Sequence, residues 1–386
     1  MTQRFFSPCP RGLEPFLATE LTDLGARQLR VLPGGVAFEG DWSVGYRANL
    51  ESRLATRVLW QVAQGRYRGE EDIYRLAYGA TWAKWWTPDQ TIRVQVTAQK
   101  SPLKSLEFIT LRIKDAICDH FRTVTGRRPS VDTERPDVRI HAFLSADQAT
   151  LYVDTSGEPL YKRGFKHASV EAPLKENLAA GLLRMTGWQP DQPLIDPMCG
   201  SGTFLIEAAQ IALNVAPGLG RRFAFERLKS FDSGSWAALR RAAETRLHPV
   251  RGLAIYGSDR EADQVRRSLI NLRAADLADA VTLEEVDLLE RGAPAGSGVM
   301  IANPPYGVRI GDVEALAAFY PRLGDALKAR WAGWNCYFLS ADPQLPKLIG
   351  LKASRRTPVF NGALECRLFE YKMLAGSLRR SRPEEA

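Results

Sequence analysis

The chain has 386 residues, which at about 150 residues per domain indicates two or three domains, each long enough to bury its own core. Hydrophobic residues make up 45% and charged residues 25% of the chain, which excludes a disordered tail and a collagen-like repeat. A balance of 52 basic against 44 acidic side chains gives a net charge of +8, which favours a polyanionic partner such as nucleic acid.

The cysteines and the N-terminus indicate a reducing compartment. The five cysteines are scattered without a C-x-x-C pair and the four histidines show no ligand spacing, so we predict neither a disulfide framework nor a metal site. Arg11, Glu14 and Glu20 interrupt the N-terminal segment before a signal-type apolar core can form. No window approaches 18 uncharged apolar residues. We therefore expect a cytoplasmic protein with no membrane partner.

The first 156 residues predict α+β structure. Residues 1–60 read as a short strand, a helix near 13–24 and strands around 30–39, with Pro33-Gly34-Gly35 as a turn. Between 61 and 156, the pattern predicts a strand at 91–98, a helix at about 105–124 and strands at 138–144 and 150–154. Strands flanking helices in this way are typical of the α+β class.

After Pro159 the pattern changes to alternating helices and strands, which predicts a boundary near 156–165 and a parallel sheet with right-handed crossovers. Short apolar runs, as expected of strands covered on both faces, predict strands at 194–196, 254–258, 281–287, 299–302 and 334–339. The second part of the chain is therefore predicted to be an α/β domain.

An acidic residue and a glycine-rich loop follow the strand at 194–196, in the sequence DPMCGSGT from Asp196 to Thr203. In open α/β sheets, ligands bind at this position. The loop lacks the third glycine of a dinucleotide fingerprint and the Lys-Ser/Thr pair of a P-loop, which disfavours a phosphate-bearing cofactor. Gly200 and Gly202 still allow a ligand to approach the backbone, and the following helix would offer its unpaired N–H groups.

Two further acids, Asp259 and Asp287, follow the next two predicted strands. In a doubly wound sheet both would line the same crevice, where a carboxylate can accept hydrogen bonds from both hydroxyls of a ribose. The alternative is that each acid merely caps the helix after it.

The tetrapeptide Asn303-Pro304-Pro305-Tyr306 ends another apolar strand. Its prolines fix their own φ angles and remove two N–H donors, which leaves a stiff turn with free carbonyls. Such a turn can hold a planar amine: the Asn303 side-chain oxygen and the Pro304 carbonyl accept its two hydrogens, while Tyr306 stacks on the attached ring. An ordinary proline-rich turn with a buried tyrosine is the alternative.

Together these strand ends resemble the class I S-adenosylmethionine-dependent methyltransferases that modify exocyclic amines. The segments at 7–26, 151–164 and 160–188 resemble more closely the bacterial large-subunit ribosomal RNA guanine-N2 methyltransferases, often labelled adenine-specific DNA methylases. The resemblance covers nearly the whole chain. It implies a ferredoxin-like region at 1–60, a THUMP RNA-binding domain at 61–156 and a Rossmann-like class I methyltransferase domain at 157–386.

The resemblance also implies roles for individual residues. The target amine would be held by Asn303, Pro304, Pro305 and Tyr306. S-adenosylmethionine would be bound by Asp196, Pro197, Gly200, Ser201, Gly202, Thr203, Asp259 on the ribose side, Asp287 on the adenine side, and Lys175 near the methionine end. Cys199 reads as a small loop residue, since the RNA methyltransferases that use a cysteine attack pyrimidine carbon and lack this tetrapeptide.

The implied reaction is methylation of the exocyclic N2 amine of a guanine in 23S rRNA. Guanine in tRNA and adenine N6 in DNA are alternative substrates, and a ribosome-assembly factor without turnover is an alternative of another class. Contact with RNA phosphates is predicted for Lys100, Lys104, Lys114, Arg127 and Arg128, with Arg112 and Arg122 nearby, on and around the helix at 105–124; a solvated helix face is the alternative.

Asp196 and Asp259 lie 63 positions apart, so the first crossover is predicted to hold an insertion at about 214–249. The insertion contains Arg221, Arg222, Phe223, Phe225 and Trp236. These side chains would either contact RNA or form a helical cover over the sheet.

Overall fold

The computed structural model describes residues 2–166, 174–304 and 310–374. The chain forms two compact units: the first consists of Met1–Arg163 and Ala216–Arg246, and the second of Gly164–Val215 and Leu247–Ala386. Across the described ranges, no helix is both long and apolar enough to cross a bilayer.

The first unit contains, among its described residues, a seven-stranded sheet in the order β2-β3-β1-β4-β7-β6-β5. Its elements are β1 (Gln3–Pro8), α1 (Glu14–Asp23), β2 (Arg27–Leu32), β3 (Gly35–Gly40), α2 (Trp42–Glu51), β4 (Leu59–Arg66), α3 (Glu70–Gly79), β5 (Ile92–Ala98), α4 (Leu106–Thr125), β6 (Val138–Leu144) and β7 (Gln148–Asp154). Strands β5 and β6 are parallel, and the other neighbours pair antiparallel.

The elements predicted for the first 156 residues are confirmed, but α2, β4 and α3 were not predicted. Strand β4 is the important omission, because Trp60 pairs with Phe5 of β1 on one side and with Val153 of β7 on the other. One continuous sheet therefore runs through both predicted N-terminal regions, and the predicted boundary at 60/61 lies inside β4. Helix α2 begins at a signal visible in the sequence, since the side chain of Asp41 accepts a hydrogen bond from the N–H of Val44 at 3.0 Å.

The second unit contains a sheet in the order β10-β9-β8-β11-β12-β14-β13. The elements from residue 174 onward, including one helix of the first unit (α7), are α5 (Glu176–Thr186), β8 (Leu194–Asp196), α6 (Thr203–Ala212), α7 (Ser233–Thr245), β9 (Ile255–Asp259), α8 (Ala262–Ala274), β10 (Thr282–Glu285), β11 (Gly298–Ala302), α9 (Ile310–Arg330), β12 (Trp334–Ser340), α10 (Leu345–Ile349), β13 (Arg355–Asn361) and β14 (Leu364–Lys372). The five strands β8 to β12 pair with one another in parallel, which confirms the five predicted strands and the doubly wound pattern.

The prediction was incomplete at the C-terminal end of this sheet. Strands β13 and β14 form a hairpin whose second strand pairs antiparallel with β12. The pattern of alternating helices and strands suggested parallel strands alone, because it does not extend to a hairpin added at the edge of the sheet.

The position of the ligand crevice follows from the strand order. The chain builds β8, β9 and β10 outward in one direction and then returns to place β11 on the other side of β8. The order therefore reverses between β8 and β11, and the carboxyl ends of these two strands flank the point where open α/β sheets bind ligands.

The insertion between β8 and β9 packs on the first unit. The ring centroids of Phe225 and of Tyr46 on α2 are 4.5 Å apart, and the N–H of Phe225 donates to the carbonyl of Thr155 at 3.0 Å. Phe223, Phe225 and Trp236 are buried, and Arg221 donates to the carbonyl of Pro159 at 2.9 Å. The aromatic residues thus form a cover, as one alternative held, but the cover lies over the first unit and not over the parallel sheet.

Candidate active site

The glycine-rich loop turns sharply between β8 and α6. Gly200 and Gly202 have φ angles of +54° and +80°, in the left-handed region that side chains with a Cβ rarely adopt. The loop is tied to the next strand, because the N–H of Cys199 donates to the carbonyl of Ser258 at 2.9 Å. Ser201, Gly202 and Thr203 are buried. The two glycines are therefore required by the backbone at this turn.

Two buried polar residues of α8 hold the loop from behind. The hydroxyl of Ser268 donates to the carbonyl of Gly200 at 2.8 Å, and the amide of Asn271 donates to the carbonyl of Ser201 at 3.0 Å. Sequence reasoning missed both residues. Their signal is weak but present: they lie three positions apart on one helix face, on the side that the helix buries against the sheet.

Two carboxyl groups lie next to this loop. Asp196, at the end of β8, is fully buried and accepts a hydrogen bond from the N–H of Met198 at 3.1 Å. Asp259, at the end of β9, accepts from the N–H of Gly200 at 3.1 Å and from that of Glu261 at 3.2 Å. Burial raises the pKa of both carboxyl groups, that of Asp196 well above its ordinary value. The structure thus brings the predicted Asp196 and Asp259 together around the glycine loop.

Asp287 lies beyond the end of β10 and is half-buried. Its side chain accepts from the N–H of Leu289 at 2.8 Å and so closes a tight turn. No helix follows Asp287 directly in the described chain, so the capping alternative does not account for this residue. Because β10, β9 and β8 are parallel neighbours, Asp287 and Asp259 lie at the same edge of the sheet.

Asn303 and Pro304 follow β11, the strand on the other side of β8. Met300 pairs with Ile195, so the end of β11 lies beside the start of the glycine loop, one strand spacing of about 4.8 Å away. Asn303 is half-buried and Pro304 is buried. Pro305 and Tyr306, the remainder of the predicted tetrapeptide, lie outside the described residues. The described half of this motif and the glycine loop therefore flank the same switch point.

Lys175 and Cys199 differ in how they relate to the loop. Lys175 is exposed and precedes the first turn of α5, where its carbonyl accepts from the N–H of Ala179 at 2.9 Å. Its role near the methionine end of a cofactor stays a prediction. Cys199 is buried within the loop, and burial raises the pKa of its thiol, which disfavours the nucleophilic thiolate. This agrees with reading Cys199 as a small loop residue.

The residues around the loop fit a nucleoside-bearing ligand. A Cβ added to Gly200 would meet no atom within 4 Å, so the backbone at Gly200 is open to close approach. A Cβ on Gly202 would lie 3.0 Å from the Ser268 hydroxyl, so Gly202 is fixed by packing instead. Each oxygen of Asp259 already accepts one N–H and retains a lone pair for a hydroxyl. No group of three or more metal-ligating side chains is found in the part of the chain described.

The basic residues predicted to contact RNA do not form one patch. Lys100 and Lys104 precede α4, whereas Arg127 and Arg128 follow it, and a 20-residue helix is about 30 Å long. Lys114 pairs with Asp115 at 2.5 Å and Arg127 pairs with Asp89. Two of the five predicted charges are therefore paired with carboxylates in the described contacts, and the role of all five residues stays a prediction.

Three models of protein domains match the chain in sequence. They are the RlmL ferredoxin-like domain over residues 4–59, the THUMP domain over 67–154 and the RMKL-like methyltransferase domain over 163–370. The predicted boundaries at 60/61 and 156/157 fall between the matched ranges and remain predictions at residue level.

Similar proteins support the same assignment. A putative RNA methyltransferase of Synechocystis is 40% identical over 96% of this chain and 97% of its own length. The ribosomal RNA large subunit methyltransferase K/L of Allochromatium vinosum is 41% identical over 96% of this chain, but the match covers 51% of that protein; the chain thus spans about half the length of its K/L relatives.

Among solved structures, a putative methyltransferase complexed with S-adenosylhomocysteine (SAH) superposes with a TM-score of 0.88 and 30% identity, covering 97% of this chain and 99% of that one. The family and this neighbour establish S-adenosylmethionine as the methyl donor. The chain belongs to the RMKL-like methyltransferase family, in which a ferredoxin-like domain and a THUMP domain precede a class I methyltransferase domain.

Proposed function

We propose that the protein methylates the exocyclic N2 amine of a guanine in 23S rRNA. The observation that carries the proposal is the placement of Asn303 and Pro304 beside the glycine loop, at the switch point between β8 and β11. The THUMP domain supports an RNA substrate, and the names of the K/L relatives support large-subunit ribosomal RNA. Such a substrate would place the enzyme in the cytoplasm.

The proposed donor site uses the residues gathered at the carboxyl ends of β8, β9 and β10. The open backbone at Gly200 lies along the donor, Asp259 accepts from its ribose hydroxyls, and Asp287 lies on the adenine side. Lys175, Pro197, Ser201, Gly202 and Thr203 complete the predicted set. When bound, S-adenosylmethionine supplies an electrophilic methyl group on a sulfonium.

The proposed acceptor site lies at the end of β11. The side-chain oxygen of Asn303 and the carbonyl of Pro304 accept the two hydrogens of the amine, which directs its lone pair toward the donor. Pro305 and Tyr306 would complete the motif by stiffening the turn and stacking on the base. Catalysis is then mainly orientation, which can supply about 7–11 kcal/mol of the barrier, and the methylated amine loses its proton afterwards without a strong base.

Methyl transfer from tritiated S-adenosylmethionine tests the substrate. Ribosomal RNA, tRNA and DNA from cells lacking the protein serve as acceptors, and mass mapping of labelled rRNA fragments identifies the modified base. Label in a single guanine of 23S rRNA is expected. Label only in tRNA or only in DNA would contradict the proposal and select one of the alternatives.

Asn303→Ala tests the mechanism. Loss of one preorganised hydrogen-bonding group at a reacting centre typically lowers kcat by about 10²–10³, and we expect a decrease of that size with SAH affinity unchanged. Asn335→Ala, an exposed asparagine on β12, is the matched control. An Asn303→Ala enzyme as active as the control would show that this residue does not hold the amine. A wild-type protein that binds rRNA and SAH but never transfers label would instead support the assembly factor.

A further inference from the structure

The sheet of the first unit buries one face and leaves the other partly exposed. Paired residues of neighbouring strands point to the same face, and the face alternates along each strand. Phe6 pairs with Leu59, and Leu59 pairs with Asp154, which shares its face with Tyr152. The register then continues across β6 and β5. The residues that share this surface, here called the open face, include Arg4, Phe6, Arg30, Arg93, Gln95, Arg139, His141, Phe143 and Tyr152.

Three aromatic side chains of the open face are accessible on three different strands. Phe143 of β6 is 38% exposed, although a phenylalanine normally belongs in the core. Phe6 of β1 and Tyr152 of β7 are half-buried, with ring centroids 6.2 Å apart and planes tilted by 42°. Aromatic rings lying on an accessible sheet form platforms on which unpaired bases stack, which binds them largely without regard to sequence.

The charges of the open face suit a polyanion. Among its guanidinium groups, those of Arg4 and Arg139 pair with Glu39 and Glu158, each at 3.2 Å, and that of Arg66 lies 3.9 Å from Asp147. Arg93 donates to the carbonyl of Thr133 at 2.6 Å. This partner is neutral, so the described contacts leave the positive charge of Arg93 without a neighbouring carboxylate. Arg30 is exposed at the edge of the sheet. The surface therefore presents positive charge around its aromatic side chains.

The outer surface of α3 and α4, where several predicted RNA contacts lie, has a different composition. Arg112 pairs with Glu71 at 2.6 Å and Arg122 with Asp119 at 3.0 Å. Asp119 also accepts from the hydroxyl of Tyr74 at 2.8 Å. Carboxylates are thus interleaved with the basic groups along this helical surface, which weakens its attraction for phosphate.

We infer that the open face binds single-stranded RNA, with bases stacking on Phe143 and Tyr152 and phosphates meeting Arg30 and Arg93. The inference rests on the proposed function, and it adds the location and the strandedness of the bound RNA. Bases in a duplex are already stacked on one another and cannot lie on these rings. The open face is therefore specific for unpaired segments of the substrate.

Fluorescence anisotropy with the full chain tests the inference. The probes are a labelled 12-nucleotide RNA of mixed sequence without self-complementarity and the same RNA annealed to its complement. Because base stacking on an aromatic ring contributes measurably to each contact, Phe143→Ala is expected to weaken single-strand binding by roughly five- to hundredfold. Arg30→Ala is expected to weaken it and to reduce the slope of log Kd against log salt by about 0.7.

Matched controls lie on α3 and α4, outside the residues predicted to contact RNA. Leu111→Ala removes an apolar side chain of α4 that is 49% exposed, and Arg75→Ala removes an exposed arginine of α3. Both are expected to bind the single strand as the wild type does, with thermal melting of all four variants checked by circular dichroism. Equal loss of binding in the controls, or Phe143→Ala binding at wild-type strength, would overturn the inference. Either result leaves the proposed function intact as long as the wild type methylates 23S rRNA.

Discussion

The two sheets of this protein have the same number of strands in the described residues, but they differ in what covers them. In the second unit, β8 and β11 are almost fully buried along their lengths, so a ligand reaches only their ends. In the first unit, buried and accessible residues alternate along β1 and β6. A sheet covered on both faces confines chemistry to the loops at one edge, whereas a sheet covered on one face offers a surface.

The same difference explains why few residues of the second sheet carry the proposed reaction. The glycine loop, Asp259 and Asn303 all belong to strand ends, and each is positioned by a neighbouring strand or by α8. The proposed RNA surface of the first sheet needs area and charge more than fixed geometry. Substitutions should therefore act sharply in the second unit and gradually on the open face.

The largest expected effect concerns the insertion. In the chain it lies between two strands of the second unit, but it belongs to the first unit. Phe225→Ala removes a buried ring from the cluster with Tyr46, Phe231 and Trp236, and should destabilise the first unit by about 3–5 kcal/mol. Hydrogen exchange followed by mass spectrometry should show faster exchange in α2, with β8 little changed.

Arg241→Ala, on the exposed side of α7, is the control for this experiment and should leave exchange in both units as it is. Faster exchange in β8 alone would show that the insertion supports the second sheet. The insertion would then have to be counted with the second unit, and the contrast between the two units would change accordingly.

A smaller effect is expected at the edge of the second sheet. Asp259→Ala removes the carboxylate that accepts from the Gly200 N–H and that is proposed to accept from the donor ribose. Hydrogen bonds to charged groups contribute about 1.5–3 kcal/mol, so SAH affinity should fall roughly ten- to hundredfold. Isothermal titration calorimetry measures the change directly.

Asp263→Ala serves as the control, because this exposed acid in the first turn of α8 pairs only with Arg266 among the described contacts. Unchanged SAH affinity in Asp259→Ala would remove the ribose role and leave Asp259 with its two bonds to the N–H groups of Gly200 and Glu261.

Much of the second unit could be predicted from the sequence, because local signals determine it. Short apolar runs marked β8, β9, β11 and β12, and the acids, glycines and prolines at the strand ends marked the crevice. The hairpin of β13 and β14 was missed because β13 begins with Arg355-Arg356-Thr357-Pro358, which is not an apolar run. Strand β13 is held instead by its pairing along β14. Ser268 and Asn271 were missed because polar helix residues usually face solvent, and only the tertiary packing buries these two.

The first unit was harder to predict for a different reason. Basic residues around α4 form a charge cluster in the sequence, but two of them pair with acids from distant positions, Arg112 with Glu71 and Arg127 with Asp89. The open face is equally invisible in the sequence, since Phe6, Phe143 and Tyr152 become neighbours only through strand register. Spacing along the chain cannot reveal a surface made by pairing between strands.

The smallest expected effect is on the pH dependence of stability, at a buried strand end of the second unit. Burial raises the pKa of Asp196 in the folded chain well above about 3.9, its value when unfolded. A raised pKa means that the folded state holds the proton more tightly. This stabilisation is complete below about pH 4 and is lost as pH rises through the folded pKa, by about 1.4 kcal/mol of unfolding free energy per pH unit.

Asparagine cannot ionise. Between pH 5 and pH 8, in the absence of S-adenosylmethionine, the Tm of Asp196→Asn should therefore fall less than the Tm of the wild type. Asp279→Asn, which removes an exposed carboxylate from the same unit, should follow the wild type. Parallel Tm profiles for Asp196→Asn and wild type would mean that Asp196 is ionised at the strand end, and that the glycine loop is built around a buried negative charge.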